Sequence, residues 1–291
     1  IEPTDSLQSG LTAGTYTVEV TDNWGCSGDS TFVLREPDQI VFDLDTSDYN
    51  NWNNRCFQDS TGYIHVNSIS GGDGGFEYAW NTPAGFSVAD STLADQDNLV
   101  AGTYELTIAD QIGCDTTVNV SLIEPPLLYA DTSVLRYQGD YAISCWGNED
   151  GEITITPHGG ADPAGNLYDW SGPVSMTDGL VVQEDLGAGE YQVRIEDVNG
   201  CAASYTFDLY PPDSLSLSFE VDSVVCFGAS NGAIDLTPAG GYVAADYQYA
   251  WEYQGRTTQD LTDIPVGTYS VTVTDENGCA TLERDIVEEV N

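Results

Sequence analysis

The chain has 291 residues and a formal net charge of −42, from 48 acidic residues against six arginines and no lysine. A field of that sign repels phosphate and anionic lipid, which argues against nucleic acid and bare membrane surfaces as partners. No apolar run approaches 18 residues, so neither a signal peptide nor direct membrane insertion is read in this segment.

Residues 1–37 read as the closing strands of a first repeat. Leu11 precedes a strand at Gly14-Thr15-Tyr16, a turn runs from Asp22 to Cys26, and a last strand carries Phe32, Val33 and Leu34. The same stretch returns from Gly102 to Cys114, Gly189 to Cys201 and Gly267 to Cys279. Each copy alternates an aromatic and two aliphatic residues with polar ones: Tyr16/Val18/Val20, Tyr104/Leu106/Ile108, Tyr191/Val193/Ile195 and Tyr269/Val271/Val273. A period of two is a β-strand with one buried face. The following Asp-x-x-Gly-Cys reads as a hairpin whose glycine supplies a positive φ. The four cysteines are 88, 87 and 78 residues apart, the size of a small β-sandwich domain. Because residues 1–37 hold only the closing strands of a repeat, the chain is expected to be a window onto a longer array.

Three full repeats follow, at 38–125, 126–211 and 212–291. Glu36-Pro37, Glu124-Pro125-Pro126 and Tyr210-Pro211-Pro212 mark short, stiff junctions between them. Each repeat opens on a long first strand, such as Leu215 to Val225, that ends at Cys56, Cys145 or Cys226. A turn glycine then leads to Ile64/Val66, Ile153/Ile155 or Ile234/Leu236, followed by a double glycine and Tyr-x-Trp. An irregular middle closes at Leu99, Leu186 or Ile264. About seven strands and no convincing helix predict an all-β chain of tandem immunoglobulin-like antiparallel β-sandwiches in a linear array. Trp80, Trp170 and Trp251 are expected in the cores rather than on a carbohydrate-stacking face. The tyrosine of each Gly-x-Tyr strand takes the place of a tyrosine corner.

Gly-Thr-Tyr-x-Val-x-Val-x-Asp-x-Asn-Gly-Cys, preceded by Cys-Phe-Gly, a double glycine and Tyr-x-Trp, resembles the SprB-type repeats of giant gliding-motility adhesins of the Bacteroidota. It is more distantly similar to polycystic-kidney-disease-type sandwiches. The first full repeat departs from the pattern at Cys56-Phe57-Gln58 and at Ile112-Gly113. The resemblance implies a secreted, cell-surface array exported by the type IX pathway and acting in adhesion, motility or filament formation. Family context also implies O-glycosylation at Asp-Ser or Asp-Thr followed by an apolar residue or Thr, which here marks Ser6, Ser30, Ser60, Ser91, Thr116, Ser214 and Ser223.

Enzyme chemistry finds no support, because His65 and His158 sit at non-equivalent places and form no triad or metal set. No cofactor is implied. The only calcium candidates are Asp43, Asp45 and Asp48 and the pair Asp95 and Asp97, none in an EF-hand pattern. The cysteines recur at fixed places without CxxC spacing, which favours disulfides in an oxidising compartment over zinc. If the first strand runs the full repeat, Cys56, Cys145 and Cys226 lie toward the next repeat and the hairpin cysteines toward the previous one. Stapling between repeats, Cys56–Cys201 and Cys145–Cys279, would leave Cys26, Cys114 and Cys226 for partners elsewhere. The alternative keeps one bridge inside each repeat: Cys56–Cys114, Cys145–Cys201 and Cys226–Cys279. Functionally the choice lies between a structural shaft and a series of glycan- or protein-binding modules. The expected partners are neighbouring repeats of the same chain and other copies in a filament.

Overall fold

A computed structural model describes residues 6–287. The chain divides into two compact units between Glu124 and Pro125.

The first unit begins with a hairpin of β1 (Gly14–Thr21) and β2 (Ser27–Leu34), paired from Gly14↔Leu34 to Thr21↔Ser27. It then forms one sandwich from two antiparallel sheets. One sheet orders β3 (Val41–Thr46), β4 (Gly62–Ser70) and β6 (Gln96–Leu99) with β4 central. The other orders β5 (Glu77–Asn81), β7 (Gly102–Ala109) and β8 (Asp115–Leu122) with β7 central.

The second unit repeats this plan twice. Its first sandwich pairs the sheet β9 (Tyr129–Val134), β10 (Gly151–His158), β12 (Val182–Leu186) with the sheet β11 (Leu167–Ser171), β13 (Gly189–Glu196), β14 (Ala202–Leu209). Its second pairs β15 (Ser216–Asp222), β16 (Gly232–Ala239), β18 (Leu261–Ile264) with β17 (Gln248–Trp251), β19 (Gly267–Thr274), β20 (Ala280–Val287). These are tandem immunoglobulin-like β-sandwiches, with six strands each rather than the seven expected.

The cores follow the alternation in the sequence. Tyr104, Leu106 and Ile108 are fully buried on β7, and Tyr191, Val193 and Ile195 take the same places on β13. Trp80, Trp170 and Trp251 are buried, and each indole N–H donates to a carbonyl of the irregular middle, at Leu93, Leu180 and Thr258, all at 2.9 Å. The middle segments therefore differ in sequence yet share one anchoring bond. Each tyrosine of the Gly-x-Tyr strand donates its hydroxyl to the carbonyl four residues upstream: Tyr16 to Thr12, Tyr104 to Val100, Tyr191 to Gly187 and Tyr269 to Pro265, at 2.6–2.9 Å. That is the tyrosine-corner bond.

The first strands are shorter than the sequence reading. β3 and β9 stop at Thr46 and Val134, well before Cys56 and Cys145. In the first sandwich Ser47 turns the chain inward: its hydroxyl donates to Asn53 O at 2.7 Å and accepts from Tyr63 N at 3.0 Å. The residue two before each cysteine, Asn54, Ile143 or Val224, then plugs the core end with no exposed surface. The cysteine loop is consequently a separate element folded over the end of the sandwich.

The short middle strands β6, β12 and β18 carry a feature absent from the sequence reading. Asn98, Asp185 and Asp263 adopt φ of 55–58° beside a register shift, which turns Leu99, Leu186 and Ile264 inward. Asn and Asp tolerate this left-handed conformation better than most residues.

The disulfide joint as candidate functional site

The recurring hairpin is held by its aspartate. Asp275 Oδ1 accepts from Asn277 N (2.9 Å) and Cys279 N (2.8 Å), while its Oδ2 accepts from Tyr242 N at 2.8 Å, just past the double glycine. Asp197 repeats the arrangement with Asn199 N, Cys201 N and Ala161 N, and Asp110 with Ile112 N, Cys114 N and Asp73 N. All three carboxylates are buried. One side chain thus locks the cysteine turn to the neighbouring loop of its own sandwich.

The double glycine is dictated by the same close approach. Gly159 N-terminal to that contact has φ +71°, and an added Cβ would lie 1.9 Å from Leu127 O. Gly160 N donates to Pro126 O at 2.9 Å, so the loop is fastened to the first residues of the repeat.

The cysteine loop is fixed from the other side. The residue before the turn glycine accepts the N–H of the residue before the cysteine in all three sandwiches: Thr61 from Arg55 (2.8 Å), Asp150 from Ser144 (3.0 Å) and Asn231 from Val225 (3.3 Å). Three residue types perform one task, which is why the position carried no signal in the sequence. Burial pushes the Asp150 carboxyl up, but hydrogen bonds from Ser144 and Asn148 outweigh it and hold it below the ordinary value. Ala142 N donates to Tyr210 O at 3.1 Å, and Asn53 N and Asn54 N donate to Ile123 O. These two loops are thereby tied to a residue one or two places before a proline linker, at the end where the chain leaves the sandwich.

In the second unit the two elements meet. Cys145 and Cys279 form a disulfide with Cα atoms 5.5 Å apart, at a sequence separation of 134. Around it, an arm between β9 and Cys145 makes one 3-10 turn, Gln138–Asp140. Gln138 Nε2 donates to Glu276 O (3.4 Å), and Asn277 Nδ2 donates back to Gln138 O (3.2 Å). Tyr141 meets Tyr242 edge-to-face at 6.1 Å. Gly139, at φ +80°, leaves room for the Tyr242 ring, which an added Cβ would approach to 2.4 Å. An open cleft of about 340 Å³ lies beside the bridge, lined by Trp146, Asn148, Asp213 and Leu215 among others.

The structure therefore joins Cys145 to Cys279 of the following sandwich and not to Cys201 of its own. Cys56 and Cys201 are both in disulfide form, whereas Cys26, Cys114 and Cys226 are exposed free thiols. The arm residues Gln138, Gly139 and Tyr141, and their counterparts Tyr242 and Asn277, had no part in the sequence reading. The signal for them was the length of chain between β9 and Cys145, ten residues, against nine between β3 and Cys56.

The calcium candidates each make a bond of their own. Asp45 Oδ2 accepts from Tyr63 OH, Asp43 Oδ2 from Asn67 Nδ2, and Asp48 Oδ1 from Asn51 N, each a separate local bond. Asp95 accepts from Val66 N and Asp97 pairs with His65. Among the described residues no group of three acids, histidines or cysteines could hold a metal ion. His65 and His158 each meet one aspartate, Asp97 or Asp131, and stack on one tyrosine, Tyr63 or Tyr129. Ser6, Ser30, Ser60, Ser91 and Ser214 are exposed, with Thr116 and Ser223 half-buried. No helix among the described residues is long and apolar enough to cross a membrane.

Fold and joint together define a tandem-repeat protein built of small disulfide-linked β-sandwiches. The family model described as SprB repeat matches it at three places, residues 52–85, 143–175 and 218–253, one in each full sandwich. Each match spans the cysteine loop and the Tyr-x-Trp strand. No curated protein sequence matches the chain. Among solved structures, the N-terminal eight Ig domains of Down Syndrome Cell Adhesion Molecule isoform 1.30.30 align over 96% of this chain and 53% of that one, at 10% identity and a TM-score of 0.40. The extracellular domain of Protocadherin GammaB4 aligns over 95% and 56%, at 13% identity and a TM-score of 0.34. The chain spans about half the length of these fragments. At such scores the likeness carries no argument, and the fold rests on the sheet topology itself.

Proposed function

We propose that this segment is a spacer in the repeat region of a secreted cell-surface adhesin or extracellular filament, stiffened by disulfides between successive repeats. The observation that carries this reading is the Cys145–Cys279 bridge, which links one sandwich to the next instead of closing either on itself. Pairing of Cys56 with Cys201 would extend the same rule one repeat toward the N-terminus. The SprB repeat matches support an adhesin context, and the acidic, lysine-free surface suits a fibre held in salt water. Repeat boundaries at 38–125, 126–211 and 212–291 belong to this reading, as does an oxidising, extracellular location.

Small-angle scattering of the oxidised chain and of the Cys145→Ser variant tests it. The spacer reading expects the variant to sample a wider range of angles between its last two sandwiches. Identical scattering curves would remove the disulfide as a source of stiffness.

One observation favours a binding-module reading beside it. Trp146 is 64% exposed at the mouth of the joint cleft, next to the polar side chains of Asn148 and Asp213. An open indole beside hydrogen-bonding groups is the composition of a sugar platform. Saccharide binding on a glycan array that disappears in Trp146→Ala would support that reading.

A further inference from the structure

The third sandwich repeats the cysteine loop of the second without its arm. Three residues, Ser223–Val225, separate β15 from Cys226, whereas ten separate β9 from Cys145. The loop is otherwise built alike. Val224 fills the core end as Ile143 does, and Asn231 caps Val225 N as Asp150 caps Ser144 N. What differs is cover. Cys145 is bridged and Ser144 is buried beneath the following sandwich, but Cys226 is a free, exposed thiol flanked by Val225 at 64% and Phe227 at 94% exposure.

We propose that the Cys226 loop is the socket of a further joint, which takes the Asp-x-x-Gly-Cys hairpin of a following repeat of this class, and that this joint is held by its disulfide without an arm. The occupant is fixed by the joint already present, where the equivalent loop receives such a hairpin and is bridged to its cysteine. Its cysteine N–H groups are preset by the clasping aspartate, so the thiol arrives in a rigid turn. Bridge formation removes one proton and one electron from each thiol. Both pass to a disulfide oxidant such as oxidised glutathione, which leaves as two thiols. The residues that stiffen the Cys145 joint, Gln138, Gly139 and Tyr141, have no counterpart before Cys226. An array of these repeats then combines armed joints, which resist bending, with armless ones, which are covalent but pivot. This rests on the spacer reading for the order in which repeats meet.

The test is the full chain extended at its C-terminus by a second copy of residues 212–291, the copy carrying Cys226→Ser and, to mark its Cys279 peptide by mass, Thr257→Ser, oxidised in glutathione buffer and mapped by non-reducing proteolysis. The expected map links Cys226 to Cys279 of the appended copy while Cys145 keeps its own Cys279. Under mild reductant the Cys226 bridge should open several-fold faster than the Cys145 bridge, because access controls exchange. Cys226 recovered as a thiol or as a glutathione adduct beside a folded appended repeat would overturn the socket. Equal reduction rates would overturn the armless joint. Should the appended copy not fold, residues 126–211 appended instead offer Cys201, and the same map decides. Loss of the Cys145–Cys279 peptide is a separate outcome that strikes the spacer reading and not this one.

Discussion

Asn277 donates its side-chain amide to the backbone carbonyl of Gln138 at 3.2 Å, across a joint whose two sides lie 139 residues apart in sequence. The bond is returned by Gln138 to Glu276 O, so the two turns grip each other beside the disulfide. Asn277→Asp replaces the donor by an acceptor facing a carbonyl. The expected result is faster reduction of Cys145–Cys279 with little change in the melting of either sandwich. Timed alkylation under limiting reductant checks it, and an unchanged rate would remove this pair from the joint.

The clasping aspartates make a prediction about stability. Asp197→Ala leaves Asn199 N, Cys201 N and Ala161 N without their acceptor in a buried turn. Lost hydrogen bonds to a charged group are expected to cost on the order of 3 kcal/mol. Denaturant unfolding of the full chain would show a lower midpoint for one transition only.

Acid should act through the same group. Burial raises the Asp110 carboxyl, but four backbone N–H groups, from Cys114, Asp73, Ile112 and Gly113, outweigh it and hold its pKa below the ordinary 3.8. A depressed carboxylate contributes stability that is present above the unfolded value and lost as pH falls through the folded one. The first full sandwich is therefore expected to weaken below about pH 4, and Asp110→Asn to flatten that dependence. At the alkaline end the sign reverses. Burial pushes the Tyr104 phenol up to about 12, so its contribution is present below pH 10 and lost as pH rises toward 12.

The double glycine gives the harshest substitution. Gly159→Ala requires a residue with φ near +71° and a Cβ placed on Leu127 O. Neither backbone can move without breaking the Gly160 bond to Pro126 O. The second repeat is expected to lose its native fold in circular dichroism, whereas Gly147→Ala, at φ +82° with open space around it, costs only local strain.

These sites show what the sequence makes legible. The hairpin strands, the buried tryptophans and the tyrosine corners are local patterns repeated in register, and periodicity alone places them. The first strands are shorter than expected because the period of two runs only from Leu215 to Asp222 and breaks at Ser223-Val224-Val225, where β15 ends, while in the first sandwich Ser47 turns the chain by side-chain bonds that leave no compositional trace. The strand positions Asp43 and Asp45 share a face yet accept from different donors, Asn67 and Tyr63, which their spacing alone does not reveal. The joint was the least legible part. Gln138 and Asn277 are unremarkable polar residues until the fold brings their turns together.

The disulfide also sets how far the chain can be drawn out. Pulled from both ends, an unfolded chain carries tension through Cys145–Cys279 and leaves the segment between them, a sequence separation of 134, slack. At about 3.5 Å per extended residue, that hides roughly 470 Å of contour. Single-molecule stretching in a Cys56→Ser, Cys201→Ser background isolates this bridge. Adding reductant should release about that length, and Cys279→Ser should show it from the start. In the chain-entropy view a loop of this size also withholds about 5 kcal/mol of freedom from the unfolded state, so reduction should lower the unfolding midpoint as well. A contour that ignores reductant would mean that force does not run through the joint, and a spacer stiffened by disulfides could not work that way.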